Sequence, residues 1–382
     1  MLVGVDASRV TRAQRTGTEN YSLHVLRELL AADHDNAYRL YLSAALPEGL
    51  LPRHPHATTR LIGLPRLWTH VGLSREMLRD PPDVLFVPSH VLPLRAPPRS
   101  VVVVYDVGHR LFPRAHAFSE RLYLEWSIRR HVRIATRLLT ISEASRRDLV
   151  RLYGADPARI DVAYPAVDQR FRPASAEEID RARRRHGLAD PYVLHLGTIK
   201  PRKNLPRLVE AFARADLPRD VQLVLGGMTT YGGGPLEEAI RARGLEQRVK
   251  RLAYVPDADL AGLFSGAACV AIVSLYEGFG MPALEALACG APLLASNRGS
   301  LPEIASEAAV IVDPLNVDAI KAGLERLTGD ASLRDELQQR GPARAADFKW
   351  SAAARVTRDA LEAAFQTDAH TRAPFPRRSA AS

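Results

Sequence analysis

Short runs of Val, Ile and Leu alternate with longer stretches whose apolar residues recur at helical spacing, and the alternation runs through most of the chain. In the first half the runs predict strands at Leu2 to Asp6, Tyr38 to Leu42, Thr59 to Ile62, Val84 to Val87, Val101 to Tyr105, Leu138 to Ile141 and Ile160 to Tyr164. Val101-Val102-Val103-Val104 is apolar on both faces, the pattern of a parallel strand covered by helices. Glu19 to Leu30, Ser119 to Ala135 and Glu143 to Tyr153 read as helices between them. Strand and helix in turn predict a doubly wound α/β domain, whose ligands sit at the carboxyl ends of the strands. The rhythm breaks between Pro165 and Pro191, where Pro173 precedes a charged, Arg-rich, helix-like stretch holding Arg181, Arg183, Arg184 and Arg185. It resumes with strands at Tyr192 to Leu196, Val221 to Leu225, Val249 to Tyr254, Cys269 to Ser274, Pro292 to Ala295 and Val310 to Val312, a second doubly wound domain. Val317 to Leu327, Ala331 to Phe348 and Ser351 to Phe365 read as helices. Beyond Thr367, Pro374, Pro376 and little apolar content predict a disordered tail.

Composition narrows the class without naming a function. At 382 residues the chain exceeds the roughly 250 at which one core stops growing, so two domains are expected: residues 1–172 and 191–350, joined by a linker at 173–190 and followed by a tail at 367–382. No apolar run approaches the roughly 20 residues of a membrane helix, and Met1 to Asp6 reads as a strand, so a cytoplasmic protein is expected. Cys269 and Cys289 sit in apolar surroundings, without the spacing of a disulfide framework or metal site. The net charge of +9 favours an anionic partner: nucleotide, nucleic acid or anionic membrane surface.

The densest chemistry lies in Leu275-Tyr276-Glu277-Gly278-Phe279-Gly280-Met281-Pro282-Ala283-Leu284-Glu285. Gly278 and Gly280 predict backbone with positive φ that approaches a ligand closely, and Pro282 suits a first helical position. The helix start offers free N–H groups and a positive dipole end to an anion such as a diphosphate. Glu277 before the turn and Glu285 in the first helical turn are acceptors for neutral hydroxyls. Anion at the centre and polyol on both sides describes a nucleotide sugar; a helix start with ordinary acids is the competing reading.

Other segments can complete such a site. Gly197-Thr198-Ile199-Lys200-Pro201-Arg202-Lys203-Asn204 follows a strand, where Arg202 and Lys203 can hold a diphosphate, a solvated basic turn being the alternative. In Arg15-Thr16-Gly17-Thr18-Glu19-Asn20, Gly17 would let the backbone close over a phosphate from the other domain. Asp106 ends the most apolar strand, placed to bind hydroxyls or steady positive charge on a sugar, or else to cap its own turn. Ser142 and Glu143 open a helix on the same edge as an acceptor contact or an N-cap. Gly226-Gly227 and Gly232-Gly233-Gly234 lack dinucleotide or P-loop spacing. His54 and His56 lack acidic or Cys company and read as a surface loop rather than a metal site. The helix Arg121 to Arg137 mixes Arg with Leu122, Leu124, Trp126 and Ile128, compatible with an anionic membrane but expected to pack on its own sheet.

Glu277 and Glu285 with seven residues between, the Gly-Phe-Gly-Met-Pro core, the following Ala286-Leu287-Ala288-Cys289-Gly290-Ala291-Pro292, and Pro201-Arg202-Lys203-Asn204 together resemble retaining glycosyltransferases of family 4. The resemblance extends to about Phe365. It implies the GT-B architecture, two facing Rossmann-like domains, with a C-terminal helix at 351–366 crossing back to the first. It also implies transfer of a hexose from a nucleotide diphosphate sugar with no further cofactor. Glu277 would then contact the transferred sugar, Glu285 the ribose, and the backbone from Phe279 through Gly280 and Met281 to Pro282 the sugar and diphosphate. Lys203 matches the family's diphosphate lysine. The family's Arg after Gly197 is Thr198 here, so Arg202 would supply that charge. Many relatives carry His-Asp where this chain has Tyr105-Asp106; Asp106 keeps its place among the catalytic candidates, and His109 is the nearest substitute for the His. Relatives with the Pro-Arg-Lys-Asn form point to GDP-mannose ahead of UDP-sugars, and to bacterial surface polysaccharide assembly on an oligosaccharide or lipid-linked acceptor, with peripheral membrane contact and no nucleic acid. No metal-binding carboxylate pair is evident. A UDP-sugar epimerase of the same fold and an inactive sugar-nucleotide-binding protein are the alternatives.

Overall fold

The computed structural model describes residues 1–12, 17–64, 67–89, 91–113, 116–228 and 234–367. The expectations for Arg15, Thr16, Gly232, Gly233 and the tail from residue 368 lie outside them.

Each apolar run of the sequence becomes a strand, with ends displaced by a few residues at most. The first domain holds β1 (Leu2–Asp6), β2 (Ala37–Leu42), β3 (Ala57–Leu61), β4 (Val84–Val87), β5 (Ser100–Val104), β6 (Arg137–Thr140) and β7 (Ile160–Val162). Its helices are α1 (Gly17–Ala32), α2 (Ser74–Arg79), α3 (Gly108–Leu111), α4 (Phe118–Ile134) and α5 (Glu143–Tyr153), with a π-helical segment at Trp68–Leu73. Among the described residues the strands pair in parallel in the order β3-β2-β1-β4-β5-β6-β7. Every residue of β5 is buried, as covering on both faces requires.

The second domain repeats the plan. Its strands are β8 (Tyr192–Leu196), β9 (Gln222–Gly226), β10 (Val249–Leu252), β11 (Cys269–Ile272), β12 (Leu293–Ser296) and β13 (Val310–Val312), in the parallel order β10-β9-β8-β11-β12-β13. Around them lie α6 (Ala176–His186), α7 (Leu205–Arg214), α8 (Gly234–Arg241), α9 (Asp257–Ser265), α10 (Met281–Ala288), α11 (Leu301–Ala305), α12 (Val317–Gly329) and α13 (Ala331–Ala345). The helix-like stretch of the segment 173–190 is the helix α6. A capping box at Ser175 and Glu178 starts α6, which packs on α9 and is pinned by Arg185 and His186 to the buried Asp259.

The last helix, α14 (Trp350–Gln366), leaves the second domain and packs on the first, against α1 and β4 to β7. At its start Trp350 stacks on His24, with ring centroids 4.8 Å apart, and meets Tyr21 edge-on. In the second sheet the order reverses between β8 and β11, so the loops leaving those two strands face one crevice. One of these loops carries Gly197 to Lys203 and the other Glu277 to Gly280.

Candidate functional site

Two loops 75 residues apart meet because their strands are neighbours. Leu275 N–H donates to the Arg202 carbonyl at 2.8 Å, which aligns a 3-10 turn, Pro201–Lys203, beside the glycine-rich stretch. A Cβ built on Gly197 would lie 3.7 Å from Lys203 Nζ and 3.8 Å from Pro282 Cγ, so strand end, cation and helix start share one spot. Gly280 has φ 94°, the left-handed turn that admits glycine, and no side chain caps the helix behind it. That leaves the amino end of α10 open to the crevice. The helix begins at Met281, so Pro282 occupies its second position and Glu285 lies beyond its first turn, one step later than the sequence suggested. Gly278 is required by contact rather than by positive φ: a Cβ there would sit 2.6 Å from the Cβ of Asp106 in the other domain.

Charge in this half is concentrated and buried. Glu277, 4% exposed, accepts from Lys203 Nζ at 2.5 Å on one oxygen and from Arg202 at 2.6 Å on the other, and Ser274 Oγ adds a bond at 2.7 Å. Burial alone would raise its pKa, but the two cations and their hydrogen bonds outweigh it and hold the carboxyl down at about 2. Burial likewise works against the Arg202 charge, and Glu277 followed by Asp106 outweighs it. Glu277 thus fixes the heads of both cations while using few of their donors, since an ammonium has three and a guanidinium five. Two cations against one carboxylate leave the cluster positive beside the open helix end, a receptor for an anion.

Glu285 is the contrasting acid. It is half-buried on the crevice wall, no described donor bonds it, and burial pushes its carboxyl up to about 7 against the pull of Arg170 and Lys203. Incoming hydroxyl groups would supply the missing donors.

The first domain supplies the facing wall. Asp106 Oδ1 accepts from its own turn at Gly108 N–H, 2.8 Å, which is the capping role weighed above, and the residue still lines the crevice. The Tyr105 hydroxyl donates to the Pro88 carbonyl at 2.6 Å, so the residue at the family's His position is tied into the first domain. His109 is 2% exposed; its Nε2 lies 3.3 Å from Glu125 and 3.1 Å from the Tyr153 hydroxyl, and burial draws its pKa down. Gly17 begins α1 at the rim and is exposed. Twelve residues singled out from the sequence line one cleft of about 690 Å³, Gly17, Asp106, Gly197, Thr198, Arg202, Lys203, Glu277, Phe279, Gly280, Met281, Pro282 and Glu285, and so does His109, whereas Ser142 and Glu143 do not.

Three groups escaped sequence reasoning. The inner face of α4, with Leu124, Ser127, Ile128 and His131, forms the cleft wall in the first domain, and its helical spacing was the available signal. Tyr21 and Trp350 close the cleft beside it. Third is the seam between domains. Ser142 caps α5 but donates to the Gly278 carbonyl at 2.5 Å rather than facing the cleft, and Ser145 joins Gly278 to Tyr105. Glu303 of the second domain accepts from the first two amides of α5, each at 3.1 Å. Tyr276 donates to Asp148 at 3.1 Å. His54, expected in a surface loop, is buried with Nε2 2.6 Å from the Asp33 carbonyl.

Known proteins resemble the chain along nearly its whole length. Residues 15–171 match the family model Glycosyltransferase Family 4, and residues 176–344 match Glycosyl transferases group 1. O-antigen chain mannosyltransferase B of Escherichia coli is 31% identical over 355 residues, covering 88% of this chain and 93% of the relative. MMP alpha-(1->4)-mannosyltransferase of Mycolicibacterium hassiacum is 33% identical over 226 residues, covering 58% of this chain and 52% of that protein. Among solved structures, sucrose-phosphate synthase of Thermosynechococcus elongatus superposes with a TM-score of 0.73 at 20% identity, covering 95% of this chain and 99% of the other. HepE of Anabaena in complex with UDP-glucose gives 0.70 at 19%, with 95% and 98% covered. These two likenesses establish the two-domain GT-B fold.

Proposed function

The chain belongs to the group 1, family 4 type of glycosyltransferases, and from that premise we propose that it moves mannose from GDP-mannose to an acceptor hydroxyl with retention of configuration. The observation that carries the reading is the buried Arg202-Lys203-Glu277 cluster beside the uncapped end of α10. Its excess positive charge suits the diphosphate, and Glu285, lacking a donor, suits the ribose hydroxyls. The Escherichia coli relative, a mannosyltransferase of O-antigen chains matched over nearly its whole length, supports mannose as the sugar and a polysaccharide chain as the acceptor. HepE, solved with UDP-glucose, makes a uridine donor the comparison to run.

The reaction needs no protein nucleophile. The C1–phosphate bond breaks with its electron pair passing to the phosphate oxygen, and the acceptor oxygen bonds C1 on the same face. The acceptor proton passes to the departing phosphate oxygen, giving a glycoside and GDP. Lys203, Arg202 and the amino end of α10 stabilise the charge that develops on the leaving group, the work a metal ion does elsewhere. Asp106 and the Glu277 carboxylate orient the sugar and steady positive charge at C1.

Calorimetry with GDP, UDP and their hexose conjugates, followed by transfer in EDTA and NMR of the anomeric product, tests each part. GDP-mannose binding, EDTA-resistant transfer and an α product are expected. UDP-N-acetylglucosamine epimerised without acceptor, or no transfer from any hexose donor, sinks the reading.

A further inference from the structure

The turn that presents Lys203 is held by the residue after it. Among the described residues three besides glycine have positive φ, Leu67, Asn204 and Ser306, and of these Asn204 alone is buried, 3% exposed. Its φ of 62° and ψ of 26° lie in the left-handed region, where Asn is one of the few side chains readily admitted. Asn204 closes the Pro201–Lys203 turn, its N–H donating to the Pro201 carbonyl at 3.1 Å, and its own carbonyl accepts from the N–H groups of Arg207 and Leu208 to open α7. The side chain reaches further. Nδ2 donates to the carbonyls of Val273, at 3.1 Å, and of Pro314, at 2.7 Å, while Oδ1 accepts from the Arg207 guanidinium at 2.8 Å. Two carbonyls on the nitrogen and a guanidinium on the oxygen fix the orientation of the amide and use both its N–H groups. Val273 directly precedes Ser274, in the loop that carries Glu277. The amide is thus a clasp between the turn ending in Lys203 and the end of β11 from which Glu277 departs.

We propose that Asn204 is a positioning residue of the diphosphate site, acting through Lys203. The 2.5 Å contact of Lys203 with Glu277 joins the same two segments that the amide clasps, so the clasp sets where the ammonium stands and how closely it meets a phosphate. An ammonium is a point charge on a flexible stem, and its value to an anion depends on the backbone that places it. Asp and Gly tolerate the same backbone, but Asp has no N–H for the two carbonyls and Gly has no side chain; Asn meets both demands. The inference rests on the proposed reaction at one point, that the anion meeting Lys203 is the donor diphosphate.

Calorimetry on the full chain with GDP and GMP, and with UDP and UMP alongside, reads the contribution of the second phosphate as the ratio of the two affinities. Lys203→Met should remove most of that ratio. Asn204→Gly keeps the left-handed turn and removes the clasp; it should lower the ratio about tenfold with monophosphate affinity unchanged, and change it less than about twofold when added to Lys203→Met. Asn204→Ala also loses the clasp and adds backbone strain, so it should lower the ratio at least as far and melt below Asn204→Gly. Where Lys203→Met has lost the ratio, any of three results overturns the inference and leaves the diphosphate site standing: Asn204→Gly with the parent's ratio, an equal loss of both nucleotides, or a loss undiminished beside Lys203→Met. A ratio that survives Lys203→Met sinks the diphosphate site, and this role of Asn204 with it.

Discussion

Glu277 and Asp106 line the same cleft and are held in opposite ways. Glu277 is locked to side chains from a distant loop, with both oxygens on cations and its charge secured by them. Asp106 leans on its own turn, one oxygen on Gly108 N–H, and stands partly open to the cleft. The second-domain half is therefore a preassembled electrostatic device whose removal disturbs the fold. The facing half presents a carboxylate whose chemistry can be altered with the fold intact.

The largest expected effect breaks the device. Glu277→Ala leaves Lys203 and Arg202 buried without their counter-charge, at a cost of about 3–5 kcal/mol in urea unfolding, and transfer is lost. A stability within experimental scatter of the parent would show that the cluster is not the anchor described. Asp106→Asn should do the converse. The amide keeps an acceptor for Gly108 N–H, so stability stays within about 0.5 kcal/mol while turnover falls about a hundredfold. Equal losses of stability for the two acids would erase the contrast.

Glu303→Gln probes what holds the halves together. The amide has one acceptor oxygen where the carboxylate has two, so one of the first two amides of α5 loses its partner, about 1 kcal/mol, and transfer should slow about fivefold while affinity for the free nucleoside diphosphate is unchanged. A matching loss of nucleotide affinity would place its effect in the second-domain half of the cleft instead.

The smallest effect is in pH. The Glu285 carboxyl ionises at about 7 in the folded chain against 4.5 for the ordinary group, so the folded form keeps its proton longer. Its contribution to stability therefore falls as pH rises from about 4.5 to about 7 and is level above that. Donor hydroxyls bonding the ionised form reverse the sign for binding: affinity should climb about threefold between about pH 6 and pH 8, and Glu285→Gln should flatten the curve.

Much of this could be read from the residues in order. Apolar runs and helical periods determined both doubly wound domains, because strand and helix patterns are local properties of the chain. The second-domain wall of the cleft was legible for a related reason: in a parallel sheet the chemistry follows the carboxyl end of a strand, so Gly197 to Lys203 and Glu277 to Glu285 appear as short dense motifs. Tertiary structure decided the rest. Only the reversal between β8 and β11 made Glu277 the partner of Arg202 and Lys203. Only the docking of one domain on the other turned Ser142 toward Gly278, set Glu303 on α5 and required glycine at 278. The first-domain wall comes from one face of α4, from Tyr21 and from Trp350, far apart in sequence. Helical period says that a helix has faces; what each face meets is settled by packing, and for the outer face of α4 the protein's own core is not the answer.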